Sequence, residues 1–177
     1  MPAEGGSARQ LTSGNFNHGG PLSWSPDSER IFFSAYRQDD WELVSDEADI
    51  YTIDIATRAL TQITNGPGAE RSPNVSPNGR MLAFTHEERR PLAFTPDRIA
   101  VANLDGSDVR IISNDLDGDA RGLIWARDSK SILYTYDERG ERKVGQATLK
   151  GKLSEVAAGV GGTTVGRPYL SGGFPAA

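Results

Sequence analysis

Apolar and polar residues follow a pattern that recurs about every fifty residues along this chain. Each unit holds a run of consecutive apolar and aromatic residues, then a run that alternates more, then a half-polar run. The consecutive runs cover 31–34, 82–85 and 132–135, at spacings of 51 and 50 residues. Such a run predicts a strand that neighbouring layers cover on both faces, so each unit is expected to centre on a buried strand.

Turn-forming residues separate these runs and repeat with them. Ser-Pro-Asp at 25–27 and Ser-Pro-Asn at 76–78 precede the first two buried runs, whereas the third unit has Ala-Arg-Asp at 126–128. Asp and Asn at such positions bond the following main-chain N–H groups, which favours a tight turn. The predicted third strands are 49–55, 98–104 and 143–149, and the predicted fourth strands are 60–64, 109–113 and 153–157. Four short strands per fifty residues are typical of a propeller blade.

The repeat therefore predicts an all-β fold, a partial β-propeller of about three four-stranded antiparallel blades with stubs of the two flanking blades. Residues 1–177 are interpreted as one partial propeller. The predicted segments are the last strand of a preceding blade at 8–13, blades at 21–65, 71–114 and 122–158, and the first strand of a following blade at 167–174. Closed propellers use about four to eight blades, so we expect a fragment of a longer protein, with open edges that could pair in a homodimer.

Aromatic residues also recur in equivalent columns of the repeat. They are expected to pack between blades, as large apolar rings usually do in a core. These residues are Trp24, Phe32, Phe33, Phe84, Trp125 and Tyr134.

Composition excludes several classes of function. The net charge is −5, so the chain lacks the basic surface that nucleic acid binding needs. No apolar run approaches the roughly 20 residues of a membrane span, and the N-terminus has no pattern of an export signal. Cysteine is absent, which fits the periplasm and the cytoplasm equally and leaves the compartment unassigned.

The motifs resemble a known propeller family. Trp-Ser-Pro-Asp at 24–27, followed by Asp-Ile-Tyr-Thr-Ile-Asp at 49–54, resembles the TolB-type, WD-like repeat. More narrowly, the sequences at 19–28 and 161–169 resemble the N-terminal propeller of bacterial prolyl-oligopeptidase-family serine peptidases, the acylaminoacyl-peptidase and dipeptidyl-aminopeptidase group. The resemblance implies a non-catalytic segment that gates the entry of peptide substrates and packs on a C-terminal α/β-hydrolase domain of a parent peptidase.

No residue of the chain itself is expected to be catalytic, and no cofactor is expected. The Gly-x-Ser-x-Gly elbow that holds a nucleophilic serine on a sharp turn is absent from the sequence. Neither His18 nor His86 has neighbours that suggest a nucleophile and an orienting group. Two alternatives stay open: a TolB-like periplasmic scaffold that binds a protein or peptide, and a hydrolase or lactonase propeller with a central metal. The lack of clustered histidines and carboxylates on the predicted inner strands disfavours the second alternative.

One acidic segment has the alternating carboxylates that calcium prefers. Asp115, Asp117 and Asp119 could offer oxygens from alternate positions, as in a calcium loop. The position that would supply the bidentate Glu of a twelve-residue loop is Ala126, so an ordinary polar loop between blades is favoured.

Two long connections between second and third strands carry apolar side chains. Trp41 and Leu43 lie in the first, and Leu92 and Phe94 lie in the second, whereas the third connection is short. Packing on the propeller's own surface would account for them. The functional interpretation is a contact with the hydrolase domain, a partner chain or a peptide, since exposed apolar loops mark interaction sites.

Overall fold

The protein is described by a computed structural model that covers residues 5, 7–39, 47–89 and 95–161. These residues contain twelve strands and no helix, and hence no helix that could cross a membrane. The strands are β1 (Asn17–Trp24), β2 (Arg30–Tyr36), β3 (Asp49–Asp54), β4 (Leu60–Gln62), β5 (Gly68–Val75), β6 (Met81–Glu88), β7 (Arg98–Asn103), β8 (Arg110–Ile111), β9 (Arg121–Trp125), β10 (Ser131–Glu138), β11 (Glu141–Thr148) and β12 (Leu153–Ala157).

The strands form three four-stranded antiparallel sheets, each built from four consecutive strands. The first sheet holds β1 to β4, the second β5 to β8 and the third β9 to β12, always with neighbours in sequence paired. The first strands of the sheets lie side by side, with β5 between β1 and β9. This arrangement confirms the predicted fold, an all-β partial propeller in which each sheet is one blade.

The turn between the first and second strands is held by a buried serine in two of the three sheets. Ser25 Oγ accepts the N–H of Arg30 at 2.9 Å, and Ser76 Oγ accepts the N–H of Met81 at 2.9 Å. Ala126 stands at the equivalent place in the third sheet and has no hydroxyl. The turn there keeps the same main-chain bond between residue 126 and the carbonyl of Ser131, so the departure from Ser-Pro does not change the register.

Apolar side chains fill the two spaces between the three sheets. Between the first and second sheets, Phe32 and Ile50 pack with Leu82 and Phe84, all of them fully buried. Between the second and third sheets the buried residues are Ala83, Ile99, Val101, Ile112, Leu116, Ala120, Leu123, Trp125, Ile132, Tyr134 and Ala147. Consecutive residues of one second strand therefore face opposite neighbours, which explains the unbroken apolar runs of the sequence.

Residues 8–13, expected to form the last strand of a preceding blade, form no strand in the structure. Leu11 nevertheless packs on the outer face of the first sheet. Ile63 and Ile112 do the same in the other two cases: each directly follows the last strand of one blade and packs on the sheet of the next blade. The segment lacks a pairing strand among the described residues, so it keeps the packing of a last strand without its hydrogen bonds. The segment 167–174 lies outside the described residues.

Trp24 was expected in the core, and this expectation was wrong. Its side chain is 53% exposed, whereas the other five aromatic residues of the predicted set are buried. Trp24 lies on β1 and faces away from the second sheet, on the side where the described residues contain no further blade.

Candidate functional site

The innermost strands of the three sheets enclose one side of a cavity of about 520 Å³. This cavity is called the central channel here. Its lining residues come almost entirely from β1, β5 and β9: Pro21, Leu22, Ser23, Ser72, Pro73, Asn74, Gly122, Leu123, Ile124 and Thr135. Because all three blades contribute, the cavity lies where the axis of a propeller would run.

Each innermost strand bulges where it passes an aromatic residue of the second strand. The register shifts opposite Phe33, Phe84 and Tyr134, the same column of the repeat. A residue with positive φ lies in each bulge, namely Gly20 (76°), Ser72 (56°) and Gly122 (59°). Bulges of this kind bend a strand and redirect its groups, and here they occur along the wall of the central channel.

A threonine on the second strand fixes the bulge in two blades. Thr85 Oγ1 donates to the carbonyl of Arg71 at 3.1 Å, and Thr135 Oγ1 donates to the carbonyl of Arg121 at 3.1 Å. The first blade has Ser34 in this column, and its hydroxyl instead accepts the N–H of Ser72 in the second blade at 3.2 Å. The bulges are thus tied both within and between blades.

The lining contains no ionisable side chain among the residues that the structure describes. General acid or base catalysis needs a titratable group within hydrogen-bond reach of the reacting atoms. The channel wall offers small polar groups, prolines and aliphatic side chains instead.

A buried pair of carboxyl groups lies at the junction of the first and second blades. Asp49 begins β3 and Glu70 lies near the start of β5, and both are only 4% exposed. The side-chain amides of Gln38 and Gln62 donate to Asp49 Oδ2 at 3.1 and 3.0 Å, and Glu70 Oε1 lies 2.8 Å from His86 Nδ1. Burial raises the pKa of Asp49 to about 7, and the nearby Glu70 carboxylate adds to the rise.

The arrangement suits the retention of one proton. Glu70 Oε2 is buried and has no hydrogen-bond partner in the structure as described, so it can accept a bond from a protonated Asp49. The main chain joins the same two segments, because the N–H of Glu70 donates to the carbonyl of Ala48 at 2.7 Å. The pair therefore lies where the two blades meet, beside a smaller cavity of about 140 Å³, which Ala48 and Arg71 help to line.

Sequence reasoning missed this pair because Asp49 and Glu70 belong to different units of the repeat. One signal was available. The column of Asp49 holds Arg98 and Lys143 in the other two units, so an acidic residue there departs from the pattern.

The sequence predicts an interaction surface on the two long connections between second and third strands. Trp41, Leu43, Leu92 and Phe94 all lie outside the described residues. Their role as an interaction surface stays a prediction.

The three aspartates of the calcium candidate do not act as one group. Asp119 Oδ1 accepts the N–H of Asp97 at 3.1 Å, and Asp119 Oδ2 pairs with Arg121 at 2.7 Å. Asp115 and Asp117 are exposed beside a shallow depression. In 7–39, 47–89 and 95–161 no three His, Asp or Glu side chains converge as metal ligands would.

Three four-stranded blades around a channel with bulged inner strands define a β-propeller of the kind found in TolB proteins and in prolyl-oligopeptidase-family peptidases. Residues 1–90 match the family model of the dipeptidyl peptidase IV (DPP IV) N-terminal region. The chain belongs to this family.

Individual relatives agree with the family. The chain is 27% identical over 141 residues to dipeptidyl-peptidase 5 of Porphyromonas gingivalis, covering 78% of this chain and 21% of that protein. Among solved structures, a TolB-like protein from Agrobacterium tumefaciens superposes with a TM-score of 0.68 at 20% identity, over 90% of this chain and 56% of the other. A puromycin-hydrolyzing peptidase of Mycobacterium tuberculosis superposes with a TM-score of 0.63 at 17% identity, over 83% and 24%. The chain thus spans about a fifth of its peptidase relative.

Proposed function

We propose that this chain is the non-catalytic part of a serine peptidase's propeller, which restricts the peptides that reach a hydrolase domain and packs on that domain. The observation that carries the proposal is the central channel, whose wall comes from three blades and has no ionisable side chain in the described lining. Such a wall of prolines, aliphatic side chains and small polar groups would select by size and shape, because the described lining carries no charge that would pair with a charged substrate.

The family supports the peptidase context. Dipeptidyl-peptidase 5 is named as a peptidase, and the matching region is a small share of that protein. A propeller segment of such a protein would leave the chemistry to the remainder. The similarity to a TolB-like protein supports the second candidate, a propeller scaffold that binds a protein or peptide without an attached hydrolase.

The coding sequence of the gene separates these two candidates. The peptidase proposal expects it to continue, after further blades, into an α/β-hydrolase domain with a Gly-x-Ser-x-Gly elbow. A gene that ends after the propeller would favour the scaffold.

Gating is tested in the protein that carries both domains. Pro21 is exposed and lines the channel, so Pro21→Trp narrows the passage without removing a buried contact. We expect kcat/KM for a long peptide to fall several-fold while kcat/KM for a dipeptide substrate stays unchanged. Val109→Trp is the matched control, because Val109 is 51% exposed and lies away from the channel lining. Equal effects on both substrates would contradict gating.

A further inference from the structure

A shallow depression of about 270 Å³ lies between the second and third blades, apart from the central channel. The loop between β8 and β9 and the strands β10 and β12 contribute to its lining, so it is formed by two blades of the same chain. It is called the outer depression here, because β12 is the last strand of its blade. Its lining includes four carboxylates and two tyrosines: Asp115, Asp117, Glu138, Glu155, Tyr134 and Tyr136. Negative charge beside aromatic rings is the chemistry with which proteins recognise organic cations.

Lys143 shows that carboxylates of this lining pair with an ammonium group. Its Nζ lies 2.6 Å from Glu138 Oε2 and 2.9 Å from Glu155 Oε2. One ammonium therefore pairs with two of the four carboxylates.

Asp115 and Asp117 have no such partner. Both are exposed, and within the part of the chain that the structure describes neither carboxylate forms an ion pair or a hydrogen bond. Arg98 approaches the same loop, but its guanidinium donates to the main-chain carbonyls of Leu116 and Gly118. The outer depression therefore keeps an excess of negative charge.

Tyr134 presents an unbonded hydroxyl to the outer depression. The residue is only 2% exposed, yet its hydroxyl makes no hydrogen bond to any residue that the structure describes. The phenol crosses Gly145, which pairs with Glu155, and so it points toward β12. A buried tyrosine hydroxyl ordinarily has a partner, so this one indicates a ligand in the depression.

The same phenol is suited to accept a bond from a cation. Burial raises the pKa of Tyr134 to about 12, so at neutral pH the hydroxyl stays protonated and its oxygen keeps lone pairs that can accept. The ring of Tyr136 lies 5.6 Å from that of Tyr134, between centroids. The two rings offer aromatic surface on which an alkyl chain or a cation can pack.

We propose that the outer depression binds an alkylammonium ion, which donates to Asp115, Asp117 and the hydroxyl of Tyr134. Two carboxylates and a phenol oxygen match the three N–H donors of the ammonium group, and the alkyl chain packs on the tyrosine rings. A free diamine and the lysine side chain of a partner protein share this chemistry.

Titration of the purified full chain with 1,5-diaminopentane at pH 7 and low salt, followed by two-dimensional NMR of the main-chain amides, tests the site. We expect saturable shifts at 115–117, 134–136 and 153–155, with a dissociation constant on the order of 0.1–1 mM, as a few partly solvated charge contacts give. Nα-acetyl-lysine N-methylamide is titrated in parallel. Binding of the diamine alone identifies a free amine as the ligand, whereas binding of the lysine compound identifies a partner's side chain.

Three variants separate the site from general attraction to an acidic protein. Asp117→Asn is expected to raise the dissociation constant about threefold to fivefold, and Tyr134→Phe, which keeps the ring, about threefold to tenfold. Glu29→Gln removes an exposed carboxylate in the first blade and is expected to leave the dissociation constant unchanged. The amide spectrum of each variant shows whether it is folded.

Three results would overturn the proposal. The first is the lack of saturable shifts with either amine by about 10 mM. The second is the same set of shifts with the uncharged 1-pentanol, which would show that the depression takes only the alkyl chain. The third is a loss of binding in Glu29→Gln as large as that in Asp117→Asn.

Discussion

Gly106 lies against the main-chain carbonyl of Ile63, so close that a Cβ at Gly106 would overlap the carbonyl oxygen. Gly106 is in the turn between β7 and β8 of the second blade, and Ile63 follows the last strand of the first blade. The contact therefore joins two blades through main-chain atoms alone. Gly151 lies in the equivalent turn of the third blade, but a Cβ there would be 3.5 Å from the carbonyl oxygen of Ile112, an ordinary van der Waals contact.

Gly106→Ala is expected to destabilise the protein by two effects. Its φ of +84° is unfavourable for a side chain by about 1–2 kcal/mol, and the overlap with Ile63 adds about 1–3 kcal/mol. Gly140→Ala is the matched control, because Gly140 has a φ of +85° and nothing lies within 4 Å of its Cβ position. Denaturant unfolding should show the larger loss for Gly106→Ala. Equal losses would mean that the inter-blade contact adds nothing.

The free energy of unfolding is expected to fall as the pH rises from about 4 to about 7, because Asp49 must lose a proton while it is buried. Its pKa is raised from 3.8 to about 7 in the folded protein, chiefly by burial, so the folded state holds a proton that the unfolded chain releases in this window. One such proton changes the free energy of unfolding by at most about 1.4 kcal/mol per pH unit. Asp49→Asn keeps a hydrogen-bonding amide beside Glu70 and is expected to remove this slope. The measurement is denaturant unfolding across the pH range.

Asp117→Asn is the control for that experiment, since it removes the same charge at an exposed position. It is expected to leave the slope in place. If Asp49→Asn and the unaltered chain kept the same slope, a shared proton between Asp49 and Glu70 would be ruled out.

A serine at position 126 is expected to stabilise the turn between the first and second strands of the third blade, as Ser76 does in the second blade. Ala126→Ser is expected to raise the free energy of unfolding by about 0.5–1.5 kcal/mol, because its hydroxyl can accept the N–H of Ser131 as Ser76 accepts that of Met81. Conversely, Ser76→Ala leaves the N–H of Met81 without its acceptor and removes the hydroxyl that donates to Asn78 Oδ1, and it is expected to cost about 1–3 kcal/mol. Thermal and denaturant unfolding of both variants check the signs. A destabilising Ala126→Ser would contradict the proposed turn chemistry.

Tyr134 and Gly145 are expected to be energetically coupled. They pair across β10 and β11, and a Cβ on Gly145 would overlap the phenol ring. Gly145→Ala should therefore cost about 1–3 kcal/mol. The second blade pairs Phe84 with Ala100 in the same columns, so adding Tyr134→Phe to Gly145→Ala should recover part of the loss. Additive losses in this double-mutant cycle would show that the two side chains act independently.

The strands could be predicted from sequence because the repeat carries the same turn and the same apolar run three times. The burial of Trp24 could not, since it depends on whether another blade covers that side of β1. The strand predicted at 8–13 is absent for a related reason. Leu11 packs as a last strand would, but a strand also needs a neighbouring strand to hydrogen-bond with, and the repeat does not show whether one is present. The Asp49 and Glu70 pair depends on how two blades meet, which no single repeat unit specifies.

The bulges of β1, β5 and β9 have a consequence for how such proteins diverge. They are formed by main-chain conformation, and Thr85 and Thr135 fix those of β5 and β9, so the bend of the channel wall does not depend on most of the side chains that line it. Small side chains can then replace one another along the inner strands without changing this bend, whereas a large side chain, as in Pro21→Trp, would narrow the passage. New selectivity would arise by lengthening the connections after β2 and β6, which already exceed the two-residue turn after β10. Scaffold and selectivity can in this way evolve at separate rates within one blade.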